Sequence, residues 1–132
     1  MGAAENKKLM QEMFEELGKG NGDAFLGNMA DDVQFTIIGS TKYSGTFDGK
    51  KELVEKLLAP LSAQLEGGIT LTPENFIADG DTVAMQAKGK STTKEGKSYD
   101  NTYCQVFTFQ DGKVQRVTEY LDTELVTEVF GK

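Results

Sequence analysis

Three turn signals punctuate the second half of this chain and constrain its fold more than any other feature. Asp79-Gly80, Lys94-Glu95-Gly96 and Asp111-Gly112 separate segments in which apolar and polar residues alternate. Short Gly-containing turns between period-two segments join neighbouring antiparallel strands. The segments run from Ile69 to Ala78, Asp81 to Thr92, Ser98 to Phe109 and Val114 to Leu121. They read as four consecutive strands, a β-meander.

Ahead of the meander the period changes. Leu9, Met10, Met13, Phe14 and Leu17 fall at helical spacing between Asn6 and Gly18, and the run Gly18-Lys19-Gly20-Asn21-Gly22 ends that helix. Asp23 is placed to cap a short second helix carrying Ala24, Phe25, Leu26 and Met29. Val33 to Ile37 alternates as a strand, and a loop rich in Gly, Ser and Thr follows through Tyr43 and Phe47. Gly49 to Gln64 reads as a longer helix with Leu53, Val54, Leu57, Leu58 and Leu61 as its apolar stripe, bent or interrupted at Pro60. With 132 residues, no repeat and no linker, residues 1–132 form a single domain. Helices first and an antiparallel sheet last predict an α+β fold, the helices packed on one face of a curved sheet.

Composition then removes whole classes of chemistry. The chain has no histidine, which excludes Ser-His-Asp and Cys-His nucleophile systems and imidazole metal ligation. Acid–base work falls to carboxylates, tyrosines, lysines or the single Cys104, which sits in an alternating pattern as a small buried thiol. A net charge of −7 and a single arginine, Arg116, argue against nucleic acid and against anionic membrane surfaces as partners. No apolar run approaches the ~20 residues of a membrane span, and the N-terminus lacks a signal-peptide apolar region. A cytoplasmic location is the expectation.

Several motifs are structural rather than chemical. The Gly18–Gly22 run follows a helix and lacks the Lys-Ser/Thr ending of a phosphate loop, so it reads as a helix–helix connection. Asp31-Asp32 and Asp79-Gly80-Asp81 do not have the alternating ligand spacing of a calcium loop, and no metal site is expected. The third strand of the meander is different. Asn101, Tyr103, Gln105, Phe107 and Phe109 share one face, and in the next strand Gln115, Val117, Glu119 and Leu121 share one. Amides and a phenol beside aromatics suit a ligand pocket; an exposed sheet face or a dimer contact has the same period.

The run Gly96-Lys97-Ser98-Tyr99-Asp100-Asn101-Thr102-Tyr103, then Phe107, Gly112-Lys113-Val114 and Glu119-Tyr120-Leu121-Asp122-Thr123, resembles the SnoaL-like families of the nuclear transport factor 2-like superfamily. Ala30-Asp31-Asp32-Val33 and Gly45-x-Phe47-x-Gly49 extend the likeness over nearly the whole chain. The resemblance implies a cone-shaped, curved antiparallel sheet wrapped around the N-terminal helices, with a pocket between them. It places Asn101, Tyr103, Gln105, Phe107, Glu119 and Leu121 inside, joined by Phe35 and Ile37 from the first strand and by Phe14 and Leu57 from the helices. It also implies a homodimer through the outer sheet face, with Thr102, Thr108 and Tyr120 near the partner.

Two catalytic relatives can be compared residue by residue. Where ketosteroid isomerases carry a tyrosine, an aspartate base and a protonated aspartate, this chain has Met13 or Phe14, Ile37 and Gln105. Where limonene epoxide hydrolase carries an Asp-Arg-Asp triad, it has Gln86 and Lys88, or Lys88 and Lys90, with Glu119; that enzyme's tyrosine and asparagine become Phe35 and Ile37. Thr118 stands where the family usually has arginine. Glu119 is left as the acid–base candidate, with Tyr103 and Asn101 orienting a carbonyl or hydroxyl. The expected protein binds a small apolar or amphipathic molecule without a cofactor. Isomerase, cyclase or hydrolase chemistry is one reading, and a non-catalytic binding or interaction module the other.

Overall fold

The computed structural model describes residues 2–132. Two helices open it, α1 (Ala3–Gly18) and α2 (Gly22–Gly27). Asn21, not Asp23, caps α2: its side chain accepts a hydrogen bond from the Ala24 N–H at 3.2 Å. The strand β1 (Met29–Ile37) follows and pairs with β2 (Gly45–Asp48), a short edge strand inside the segment expected to be loop. The period test misses β2 because four residues are too few to show alternation.

The helical run at 50–62 does not break at Pro60. It consists of α3 (Lys50–Glu52), a π-helical stretch (Leu53–Leu58) and α4 (Ala59–Ser62). A proline ring inside a regular α-helix clashes with the carbonyl four residues back, here that of Lys56. The wider π turn just before Pro60 opens the backbone at that point, so the ring and its missing N–H are accommodated without ending the helix.

The meander follows as β3 (Leu65–Asp79), β4 (Thr82–Thr93), β5 (Thr102–Gln110) and β6 (Lys113–Leu121), each paired antiparallel with the next. The six-stranded sheet has the order β2-β1-β6-β5-β4-β3 and is not closed. Its one parallel pair is β1 with β6, which sets Ile37 opposite Glu119. Register shifts in β1, in β3 and between β5 and β6 bend the sheet about the helices. A last helix, α5 (Thr123–Phe130), lies in a segment the alternation pattern did not reach; Asp122 caps it through a 3.2 Å bond from the Leu125 N–H.

The concave face holds the core. Met10, Met13, Val83, Met85, Phe107, Val114 and Val117 are fully buried there, between α1 and strands β4 to β6. Phe14, Phe25 and Phe107 make edge-to-face contacts at 5.0 to 6.4 Å, and this cluster separates the filled end of the cone from the space that Phe14 and Phe25 line. Among the described residues no helix is long and apolar enough to cross a membrane.

Candidate functional site

The other end of the cone stays open as a cavity of about 350 Å³, walled by α1, α2, the π stretch, α4, the start of β3, and β1, β5 and β6. Its walls are mainly leucine, isoleucine, methionine and phenylalanine. Two features of the chain leave this space. The helical run at 50–62 turns Leu53, Leu57, Leu58 and Leu61 toward it. In β4, Gly89 lets the Tyr103 ring lie against the backbone, where an added Cβ would meet Tyr103 Cε2 at 2.6 Å.

Glu119 projects into this apolar space from β6 and is only 8% exposed. Gln105, directly opposite in register, donates from Nε2 to Glu119 Oε1 at 2.6 Å. Among the described residues it is the carboxyl group's one protein hydrogen bond. Burial pushes the Glu119 carboxyl up to about 7, against a smaller opposing effect of the Gln105 bond. The group therefore changes charge near neutral pH.

Two phenols stand near it, Tyr103 and Tyr99, and a third, Tyr43, lies beyond Tyr99. Tyr103 is held well above its ordinary range, first by burial and then by the nearby Tyr99 and Glu119, so its hydroxyl keeps its proton and can donate. Tyr99 is also raised by burial, while hydrogen bonding to Tyr103 and Asn101 acts the other way. Tyr43, from the loop after β1, is raised by burial and completes the polar end of the cavity.

Of the residues expected at the pocket, Phe14, Phe35, Ile37, Leu57, Tyr103, Gln105, Glu119 and Leu121 line the cavity. Two do not. Phe107 lies one layer behind, fully buried, with its ring 5.9 Å from that of Phe14; it supports the wall and does not form it. Asn101 is buried and fully engaged by the protein. Its Nδ2 donates to Tyr99 Oη at 3.0 Å and to the Asp122 carbonyl at 3.1 Å, and its Oδ1 accepts from the N–H of Thr102 and of Asp122. Asn101 therefore holds Tyr99 and the start of α5 in place and has no bonding capacity left to orient a ligand.

Tyr99, Tyr43 and Val126 line the cavity without having been expected there. Tyr99 shares the parity of Asn101 and Tyr103, so the strand pattern held a usable signal for it. Tyr43 and Val126 sit in a loop and in α5, where no periodicity pointed inward. Among the described residues, no cluster of acidic or cysteine side chains is arranged to hold a metal ion.

Residues 10–117 match the family of SnoaL-like domains. An NTF2-like protein from Burkholderia xenovorans LB400 superposes with a TM-score of 0.78 at 26% identity, covering 97% of this chain and 97% of its own. An NTF2-like protein from Burkholderia pseudomallei K96243 gives a TM-score of 0.83 at 19% identity, covering 96% of this chain and 98% of that one. TerC, co-crystallised with polyporic acid, gives 0.81 at 24% identity, with 96% of this chain and 98% of its own covered. No functionally curated protein matches the sequence.

Proposed function

The chain belongs to the SnoaL-like domain family, and from that premise we propose that it binds a small, largely apolar molecule and moves a proton at that molecule's polar end through Glu119. The observation that carries this reading is a lone carboxyl group in an apolar cavity of about 350 Å³, titrating at about 7. A carboxyl poised there exists in both forms at neutral pH, which suits both proton abstraction and proton return. The ionised form takes a proton from an acidic C–H or O–H, and the protonated form gives one back. Tyr103, which keeps its own proton, turns that proton from Tyr99 to the oxygen on which charge develops. Isomerase, cyclase and hydrolase reactions share such a step. That TerC, of the same fold, was co-crystallised with polyporic acid supports reading the cavity as a ligand site.

A second reading keeps the binding and drops the turnover. It is favoured by Gln105, an amide that cannot exchange a proton, beside Glu119. Native mass spectrometry of the purified protein, followed by denaturation, identifies any small molecule retained from the cell. Turnover of that molecule or its close analogues by wild type and Glu119→Gln then separates the readings. A loss of about 10²–10⁴-fold in the variant is expected for an acid–base role. Equal rates exclude that role.

We also propose that two copies associate through the convex sheet face, where Tyr120 is 46% exposed.

A further inference from the structure

The ionisable groups in the cavity are unevenly signed. Glu119 is its one carboxyl group, and no lysine or arginine lines it among the described residues. The groups facing Glu119 from the surrounding elements are Gln105 across β5, Ile37 across β1, Tyr103 from β5, and Tyr99 just ahead of β5. Beyond Tyr99 stands Tyr43, from the loop after β1. All the titratable ones are phenols, and none carries positive charge near neutral pH.

Resting on the ligand-pocket reading above, we propose that the cavity selects by charge at the ligand's polar end: it takes an uncharged hydroxyl on an apolar body at any pH near neutral, and admits a carboxylate only together with a proton. An uncharged hydroxyl finds partners whichever form Glu119 is in. It donates to the ionised carboxylate, or accepts from the protonated acid. A ligand carboxylate meets ionised Glu119 in a low-dielectric space with no cation between them. Like charges there are costly, and one of the two must take a proton. Because burial has already raised Glu119, it is the group that takes it. A carboxylate ligand therefore enters with one proton, and its affinity falls as that proton becomes harder to acquire.

The test uses two probes with the same apolar body, 2-naphthol and 2-naphthoate, titrated against the full chain at pH 6 and pH 8 by fluorescence or calorimetry. Across this range naphthol stays neutral and naphthoate stays anionic. Expected are naphthol binding of similar strength at both pH values, and naphthoate binding about tenfold weaker at pH 8 than at pH 6, from the change in protonated Glu119 around a midpoint of about 7. Glu119→Gln fixes the group uncharged and is expected to remove the pH dependence of naphthoate binding. If that variant does not fold, the wild-type pair still decides. Naphthoate bound as tightly at pH 8 as at pH 6, or as tightly as naphthol at pH 8, overturns the charge selection and leaves the pocket reading standing. Absence of binding by both probes at both pH values overturns the pocket reading, and the charge selection with it.

Discussion

Glu119 sets a cost that the folded chain carries at every pH where the group is charged. Its carboxyl titrates at about 7 in the folded protein against an ordinary value of 4.5. Between these two values the folded state keeps a proton that the unfolded state has released. Stability is therefore greatest below about pH 4.5 as far as this group is concerned, and it is lost as pH rises through about 7. The difference corresponds to about 3 kcal/mol, a large share of a small domain's stability. Glu119→Gln keeps the shape and an acceptor for Gln105 Nε2 while removing the charge. Urea denaturation at pH 5, 6, 7 and 8 should show the wild type weakening along the series and the variant much less. At pH 8 the variant should be the more stable of the two. A wild-type profile parallel to that of the variant would remove the buried charge from the account.

At the scale of elements, the polar end of the cavity depends on α5 more than on the sheet that carries Glu119. Asn101 joins the peptide of Asp122, where α5 begins, to the Tyr99 hydroxyl. Phe130, in the last turn of α5, sets its ring edge-on to Tyr99 at 4.8 Å and to Tyr43 at 5.2 Å. Gly39 clears the way for the helix start: a Cβ there would lie 2.8 Å from Thr123 Cγ2. Phe130→Ala removes both ring contacts, each worth about 0.5–1.5 kcal/mol beyond the area it buries. Amide hydrogen exchange is expected to quicken in 123–130 and around Tyr43 and Tyr99, while β4 to β6 keep their protection. Uniform quickening across the chain would show that α5 belongs to the same cooperative unit as the sheet. None of this could be read from the sequence, because an eight-residue helix and a loop tyrosine have no repeat to expose them. The meander was legible for the opposite reason. Its long strands are buried on one face only, so Tyr103, Gln105, Phe107 and Phe109 alternate with outward residues over many positions. Alternation reports only which side a residue faces. It cannot say how far along the cone the residue sits, and so Phe107 was expected in the cavity when it lies behind the wall.

The whole molecule is a cone with one filled end, one open end and an outer face that the core does not need. Residues paired across the sheet draw a line over that face: Thr46, Thr36, Thr118, Val106, Ala84 and Ile77, one from each strand in spatial order. None is charged, although the chain carries 35 charged side chains, 21 acidic and 14 basic. A sheet face meant for water usually carries charge along its centre, whereas the centre of an interface is depleted in charge. Ile77 at one end is 56% exposed, and Tyr120 stands beside the line at 46%. A second copy related by a two-fold axis presents the same uncharged line and no opposing charge. Val106, half-buried in the middle strand pairing of β4, β5 and β6, is the position at which one charge disrupts such a contact most. Light scattering after size exclusion should give twice the chain mass for wild type and the single-chain mass for Val106→Lys. The variant's circular dichroism should be unchanged, since Val106 contributes nothing to the concave core. A wild-type mass equal to one chain would leave this face to solvent. A dimeric Val106→Lys would move the contact elsewhere on the surface.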